Sequence, residues 1–241
     1  MTGILYGVGL GPGDPDLMSV RADRLVRNAG NIAFFRKAGR PGRARTIVKD
    51  MLGADATEFP MEYPVTTEIP LNDPRYNAIL SDFYADCTAH LKALVETGED
   101  VVVLCEGDPF FYGSFMHLYT RLKEVIPIEV IPAITGMSAA WTASGTPITW
   151  GDDVLTTVMG TLDEHALTHA MAQADALVVM KIGRNLPKVR RALEATGKAA
   201  RAVLVEFASM DGQRVRPLSE VGCEPMPYFS IIIVHGQGRR P

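Results

Sequence analysis

Ile4-Leu5-Tyr6-Gly7-Val8-Gly9-Leu10-Gly11-Pro12-Gly13-Asp14-Pro15-Asp16-Leu17 decides how the rest of the chain is read. A short apolar run passes at once into glycines and prolines, and a helical pattern follows. Glycine lacks the Cβ that keeps a ligand off the backbone, and proline fixes a turn while donating no N–H. The same device returns at Glu106-Gly107-Asp108-Pro109-Phe110-Phe111-Tyr112-Gly113-Ser114 and, in weaker form, at Pro132-Ala133-Ile134-Thr135-Gly136. Three such loops point to one site.

Working outward, residues 4–8 read as a buried strand and 14–28 as the helix after it, with Asp14 as N-cap and Pro15 in the first turn. Residues 31–35, 101–105 and 128–131 are further strands, and 73–97 and 114–123 carry helical patterns. Val101-Val102-Val103-Leu104-Cys105 is short, continuous and rich in β-branched residues, the composition of a strand inside a parallel sheet. Strand–loop–helix alternation of this kind implies βαβ units, and ligands of such sheets bind outside the carboxyl ends of the strands, where all three loops fall. Past Ala133 the rhythm changes. Strands are expected over 154–159, 176–182, 202–207 and 229–234, helices over 164–173 and 186–195, and a turn or hairpin over 209–227. The fold class predicted is two α/β domains: 1–132, a parallel sheet with helices on both faces, and 133–241, a mixed sheet.

The hydrophobic share of 47% and charged share of 22% over 241 residues are those of a globular protein. No apolar run reaches the roughly 18 residues of a membrane span, and the N-terminus lacks a charged-then-apolar signal pattern, so a cytoplasmic protein without a membrane partner is expected. Cys87, Cys105 and Cys223 are odd in number and form no CxxC pair, which argues against a disulfide framework or structural zinc. His165 and His169 stand four apart without an H-E-x-x-H pattern or a visible third ligand, so no metal is expected. The net charge of −4 argues against general nucleic-acid binding. A nucleic-acid protein working through Arg36–Arg45 is nonetheless the non-enzyme alternative, and lack of any salt-dependent shift with RNA removes it.

The glycine loops are tested against known phosphate cradles. G-x-G-x-x-G counted from Gly7 and Gly9 needs glycine where Pro12 stands; counted from Gly9 and Gly11 it puts Asp14 in the third place. The second strand ends in Arg36-Lys37, not in an acid for a ribose hydroxyl. No glycine-lysine-serine/threonine follows the turn, and Gly136-Met137-Ser138-Ala139-Ala140 lacks the final glycine of a nucleophile elbow. Asp14 and Asp108 oppose a polyphosphate and suit a cationic or neutral ligand; each also fits a purely capping or Asx-turn role.

Taken together, Gly9–Leu17, Glu106–Ser114, Pro132–Ala139, Val205-Glu206-Phe207-Ala208 and Ile231-Ile232-Ile233-Val234-His235-Gly236 resemble the tetrapyrrole methylase family, in family order and over nearly the whole chain. Phe34–Arg45 and Tyr63-Pro64-Val65-Thr66-Thr67-Glu68 resemble the branch that methylates precorrin-2 at C20. The alternatives within the family are the branch acting on the cobalt-containing analogue and a methylase of another regiochemistry. Ala133, Met137 and Lys181-Ile182-Gly183 depart from the commoner family residues.

The resemblance implies S-adenosylmethionine as methyl donor, held in a cleft between two α/β domains of a homodimer. Carried over by motif, Gly11, Pro12, Gly107, Asp108, Phe111, Thr135 and Gly136, with Ile182 and Ala208 from the second domain, are the cofactor residues. Asp14 and, after it, Glu106 are the candidates for acid–base or positioning work. A polycarboxylate tetrapyrrole calls for a cationic docking surface, and the densest basic segment, Arg36, Lys37, Arg40, Arg43 and Arg45, supplies it. Arg36, Lys37, Arg40 and Tyr112 are the candidate substrate residues.

Overall fold

Five parallel strands form the sheet of the first unit: β1 (Leu5–Gly9), β2 (Asn31–Lys37), β3 (Thr57–Tyr63), β4 (Val101–Cys105) and β5 (Ile128–Ile131), in the order β3-β2-β4-β1-β5. The computed structural model describes residues 2–66, 69, 73–222 and 224–239 and divides into two units, Met1–Thr135 and Gly136–Pro241. Thr67, Glu68 and Cys223 lie outside the described residues.

Alternate strand residues sort to the two faces of this sheet. Val8, Ile32, Phe34, Val102 and Leu104 pack with Ala22 and Val26 of α1 (Val20–Arg27) and Ala44 of α2 (Arg43–Ile47). Leu5, Ala33, Val101 and Val103 pack with Leu91 of α3 (Pro74–Glu96) and Phe115 and Leu118 of α4 (Phe115–Leu122). The connection leaving β1 through α1 runs to β2, whereas that leaving β4 through α4 runs past β1 to β5. Neighbouring strands whose connections depart in opposite directions, with helices on opposite faces, open a crevice at their carboxyl ends. The first two glycine loops lie there.

Three local features differ from the sequence reading. Asp14 caps only a 3₁₀ turn, Pro15–Leu17, its Oδ1 accepting the Asp16 N–H at 2.9 Å; α1 begins at Val20, where the Ser19 hydroxyl accepts the Ala22 N–H at 3.1 Å. A fresh serine cap thus overrides continuation from Asp14. Arg36 and Lys37 close β2, as the sequence reading has it, but Arg43 and Arg45 stand in α2, where no helix was expected, with Arg40 in the turn between. No strand was expected at β3, whose central Pro60 removes a ladder donor; an edge strand tolerates that, because one row of its N–H groups needs no partner in the sheet.

The second unit carries β6 (Leu155–Met159), β7 (Ala176–Met180), β8 (Ala202–Glu206), β9 (Arg214–Pro217) and β10 (Ser230–Val234), ordered β6-β7-β10-β8-β9. Of its hydrogen-bonded strand pairs β6–β7 is parallel and the other three are antiparallel, so the sheet is mixed. One face packs on α6 (Glu164–Ala172) and α7 (Leu186–Ala195), and the other on α5 (Gly136–Ala143), with Met137 and Trp141 against Ile233 and Val205. β8 and β9 supply the hairpin expected beyond Ser209.

Candidate active site

The site in the first unit starts from glycines that do two different jobs. A Cβ on Gly7 would stand 2.3 Å from the Phe115 ring, and one on Gly9 would stand 2.6 Å from the Ala133 Cβ and 2.9 Å from the Gly107 oxygen and Pro109 Cδ. These glycines let the protein's own elements close over β1. Gly107 is the opposite case: no atom lies within 4 Å of a Cβ placed there, yet its φ of +66° excludes most side chains. Its backbone faces open space, as a ligand cradle requires.

The loops are tied to one another. Leu10 N–H donates to the Cys105 carbonyl at 3.0 Å, and Gly107 N–H donates to the Gly11 carbonyl at 2.9 Å, making an isolated antiparallel bridge. Asp108 joins the second loop to the third: its Oδ1 accepts the Phe110 N–H at 2.9 Å and its Oδ2 the Ala133 N–H at 3.0 Å. The structure therefore brings Gly11, Pro12, Gly107, Asp108, Phe111 and the Ala133–Thr135 segment together in one unit. Pro12 is buried, Phe111 half-buried, and its ring meets Tyr112 edge-on at 4.8 Å. Tyr112 is 47% exposed and holds a left-handed φ of 54°.

Glu106 sits at the end of β4 against the start of α2. Burial pushes its carboxyl up from the ordinary value, while Arg43 and the Ala44 N–H, which donates to it, pull it part of the way back. The residue thus links the second glycine loop to the basic segment. Within that segment charges are largely paired: Arg36 with Glu62 (Nε–Oε1 2.8 Å), Arg45 with Glu58 (2.8 Å), while Lys37 Nζ lies 3.3 Å from the Thr66 hydroxyl. Arg40 is exposed and has no ion-pair partner among the described residues. Asp14 is half-buried and uses one oxygen on Asp16.

Sequence reasoning missed a part-buried hydroxyl cluster beside the second loop. Tyr63 and Ser114 share a hydrogen bond, and the Tyr84 hydroxyl, its pKa raised chiefly by burial, bonds to the same pair. Ser114 consequently makes no capping bond to α4, although it stands at the N-cap. The signal was present in Tyr63 of the branch motif, but its partner 51 residues on could not be read from spacing.

In the second unit the candidates Ile182 and Ala208 follow β7 and β8, which both run antiparallel to β10 and so end on the same side of the sheet. The Ile182 side chain is 1% exposed and packs with α6 and α7, so it presents backbone rather than side chain. Ala208 is half-buried against the α5 face. Gly136 opens α5, and a Cβ there would meet only Ile231 Cδ1, at 3.6 Å. Among the described residues, the non-glycine positions with left-handed φ are Tyr112, Lys181 (53°), Phe207 (52°) and Ser209 (62°). All stand in strand-end loops that carry candidate residues, and such strain of about 1–3 kcal/mol each persists where surroundings impose it, commonly at ligand sites. Just before that turn Glu206, 4% exposed, pairs with Arg216 at 2.8 Å.

A parallel α/β unit with tied, backbone-presenting loops at its switch point, followed by a mixed α/β unit with strained strand-end loops, defines a small-molecule-binding α/β protein of two units. The chain matches the family model of Tetrapyrrole (Corrin/Porphyrin) Methylases over residues 4–222 and belongs to that family. It is similar to a precorrin-2 C(20)-methyltransferase of a Sinorhizobium species, 46% identical over 99% of this chain and 98% of the relative. It is also similar to a cobalt-precorrin-2 C(20)-methyltransferase of Salmonella typhimurium, 28% identical over 98% of both. The solved uroporphyrin-III C-methyl transferase from Thermus thermophilus, complexed with S-adenyl homocysteine, shares the fold at a TM-score of 0.63, with 23% identity over 97% of each chain.

Proposed function

We propose that this protein transfers the methyl group of S-adenosylmethionine to C20 of precorrin-2, giving precorrin-3A and S-adenosylhomocysteine in cobalamin biosynthesis. The observation that carries this reading is the 46% identity over 98–99% of both chains to the precorrin-2 enzyme, against 28% to the cobalt-precorrin-2 enzyme. The same reading makes it a cytoplasmic homodimer.

Fit to the donor rests on the backbone of the loops. Gly107 leaves room for a ligand at van der Waals distance from the main chain, and residues 106–114 themselves contain no lysine or arginine of the kind a polyphosphate loop carries. Gly11, Pro12, Gly107, Phe111, Thr135 and Gly136, with Ile182 and Ala208 through main chain and methyl, would hold the donor, and Asp108 would hold the loops in register. When bound, S-adenosylmethionine supplies an electrophilic methyl on sulfur. The chain's own work is to orient the two reactants and exclude water, because an in-line displacement needs near-attack geometry more than covalent help. Asp14, with one carboxylate oxygen uncommitted to its turn, is assigned to position the substrate and accept the proton that C20 gives up. Glu106 is assigned to hold the basic segment against the donor loop. Arg40, Lys37, Arg36 and Tyr112 are assigned to the substrate's carboxylates and ring.

Incubating the protein with S-adenosylmethionine and either metal-free or cobalt-loaded precorrin-2 tests the assignment. Faster turnover of the metal-free form supports it. Methylation of the cobalt form alone moves the protein to the other branch.

A further inference from the structure

Among the described residues four strands lie at sheet edges, and three of them carry the charges or proline by which natural proteins block edge-to-edge pairing. β3 has Glu58, Pro60 and Glu62; β5 has Glu129; β9 has Arg214, Arg216 and Pro217. β6, Leu155-Thr156-Thr157-Val158-Met159, has neither charge nor proline. Its own Leu155 is 36% exposed, and exposed apolar side chains flank it, Val154 at 55% and Leu162 at 41%.

The hydrogen-bonding parity of β6 is fixed by its parallel neighbour. Ala176 N–H donates to the Val154 carbonyl at 3.2 Å, and Gly160 N–H donates to the Met180 carbonyl at 2.7 Å. Even-numbered residues therefore face β7, and the backbone groups of Leu155, Thr157 and Met159 face outward. An antiparallel copy of the same strand, placed with Thr157 opposite Thr157, sets Leu155 opposite Met159 at both ends, so every outward N–H and C=O meets an outward partner. Thr–Thr and apolar–apolar are both favourable cross-strand pairs, and the arrangement is closed by a two-fold axis.

We propose that β6 is the dimerisation edge: it pairs antiparallel with β6 of a second copy about an axis at Thr157, joining two five-stranded sheets into one of ten. The proposal rests on the homodimeric reading for stoichiometry only and is independent of the substrate.

Light scattering on the full chain should give twice the 26.2 kDa chain mass for the parent protein. Thr157→Lys, which sets like charges opposite each other at the axis, should halve that mass with circular dichroism unchanged, whereas Thr157→Val stays dimeric. Thr157→Cys treated with a short bis-methanethiosulfonate linker should give a covalent dimer, since directly paired residues of this type stand about 5.5 Å apart at Cα. Val215→Cys, on the opposite edge, and the parent protein should not. A monomeric parent overturns both the dimer and the edge. A Lys variant that stays dimeric overturns the edge alone. If the Lys variant fails to fold, the Cys variant decides: cross-linking sustains the proposal, and its absence overturns it.

Discussion

Replacing Asp108 by asparagine isolates the tie between the second and third glycine loops. The carboxylate accepts two backbone N–H groups, from Phe110 at 2.9 Å and from Ala133 at 3.0 Å. An amide of the same size has one acceptor oxygen, so whichever way it turns, one N–H faces an NH₂ group. Phe110 lies in an exposed turn where water can serve as acceptor, whereas the Ala133 bond is part-buried. The amide oxygen should therefore turn to Ala133 and leave the Phe110 N–H to water, so the tie survives as a neutral bond. A hydrogen bond to a charged group is worth about 1.5–3 kcal/mol against about 0.5–1.5 kcal/mol for a neutral one, a difference of about 1–1.5 kcal/mol. If that loss falls on loop order, S-adenosylhomocysteine affinity should drop roughly 5- to 12-fold in Asp108→Asn, at 1.4 kcal/mol per tenfold. Asp108→Ala forfeits the Ala133 bond altogether and should cost roughly 10- to 150-fold. Isothermal titration calorimetry measures both variants, and turnover at saturating donor should fall far less than affinity. Asp108→Ala binding within twofold of the parent, or no step between Asn and Ala, would refute the tie.

Gly107→Val should leave the fold intact, since no atom lies within 4 Å of the new Cβ, while the φ of +66° imposes strain on the order of 1–3 kcal/mol; donor affinity should fall at least about tenfold by calorimetry. Arg40→Ala should raise substrate KM by roughly two- to fivefold at low ionic strength, with donor affinity unchanged and the effect fading in salt, as exposed charges do. Burial lowers the pKa of His117 and His235 below 6.5, further lowered by Arg121 and Arg201 respectively, while the Pro147 carbonyl works against the shift at His235. The unfolded chain then binds more protons, so stability is full above about pH 6.5 and falls as acid is added through 6.5 toward the lower native value. Thermal melts of His235→Gln should show a shallower acid slope than the parent.

The parallel core and its loops were legible because their signals are local. Val101–Cys105 is apolar on both faces, and each glycine loop follows its strand at once. β3 and α2 were not. Pro60 reads against a strand unless the edge position is known, and α2 is five residues long with Gly42 at its N-cap and no side-chain cap bond. The roles of the glycines could not be separated either. Gly9 and Gly107 look alike in sequence, yet one is crowded by Ala133 and the other faces open space, a distinction made only by tertiary neighbours. The same holds for Ile182, whose side chain joins the core of its unit, and for Arg36 and Arg45, whose charges are met by Glu62 and Glu58 on the adjacent edge strand.

Transfer of label from methyl-¹³C S-adenosylmethionine to metal-free precorrin-2, followed by NMR of the product, tests the central claim most directly. One new enriched methyl resonance on C20, formed together with an equivalent of S-adenosylhomocysteine, is the predicted result. Label at another ring position, or none with protein that binds the donor, would contradict it.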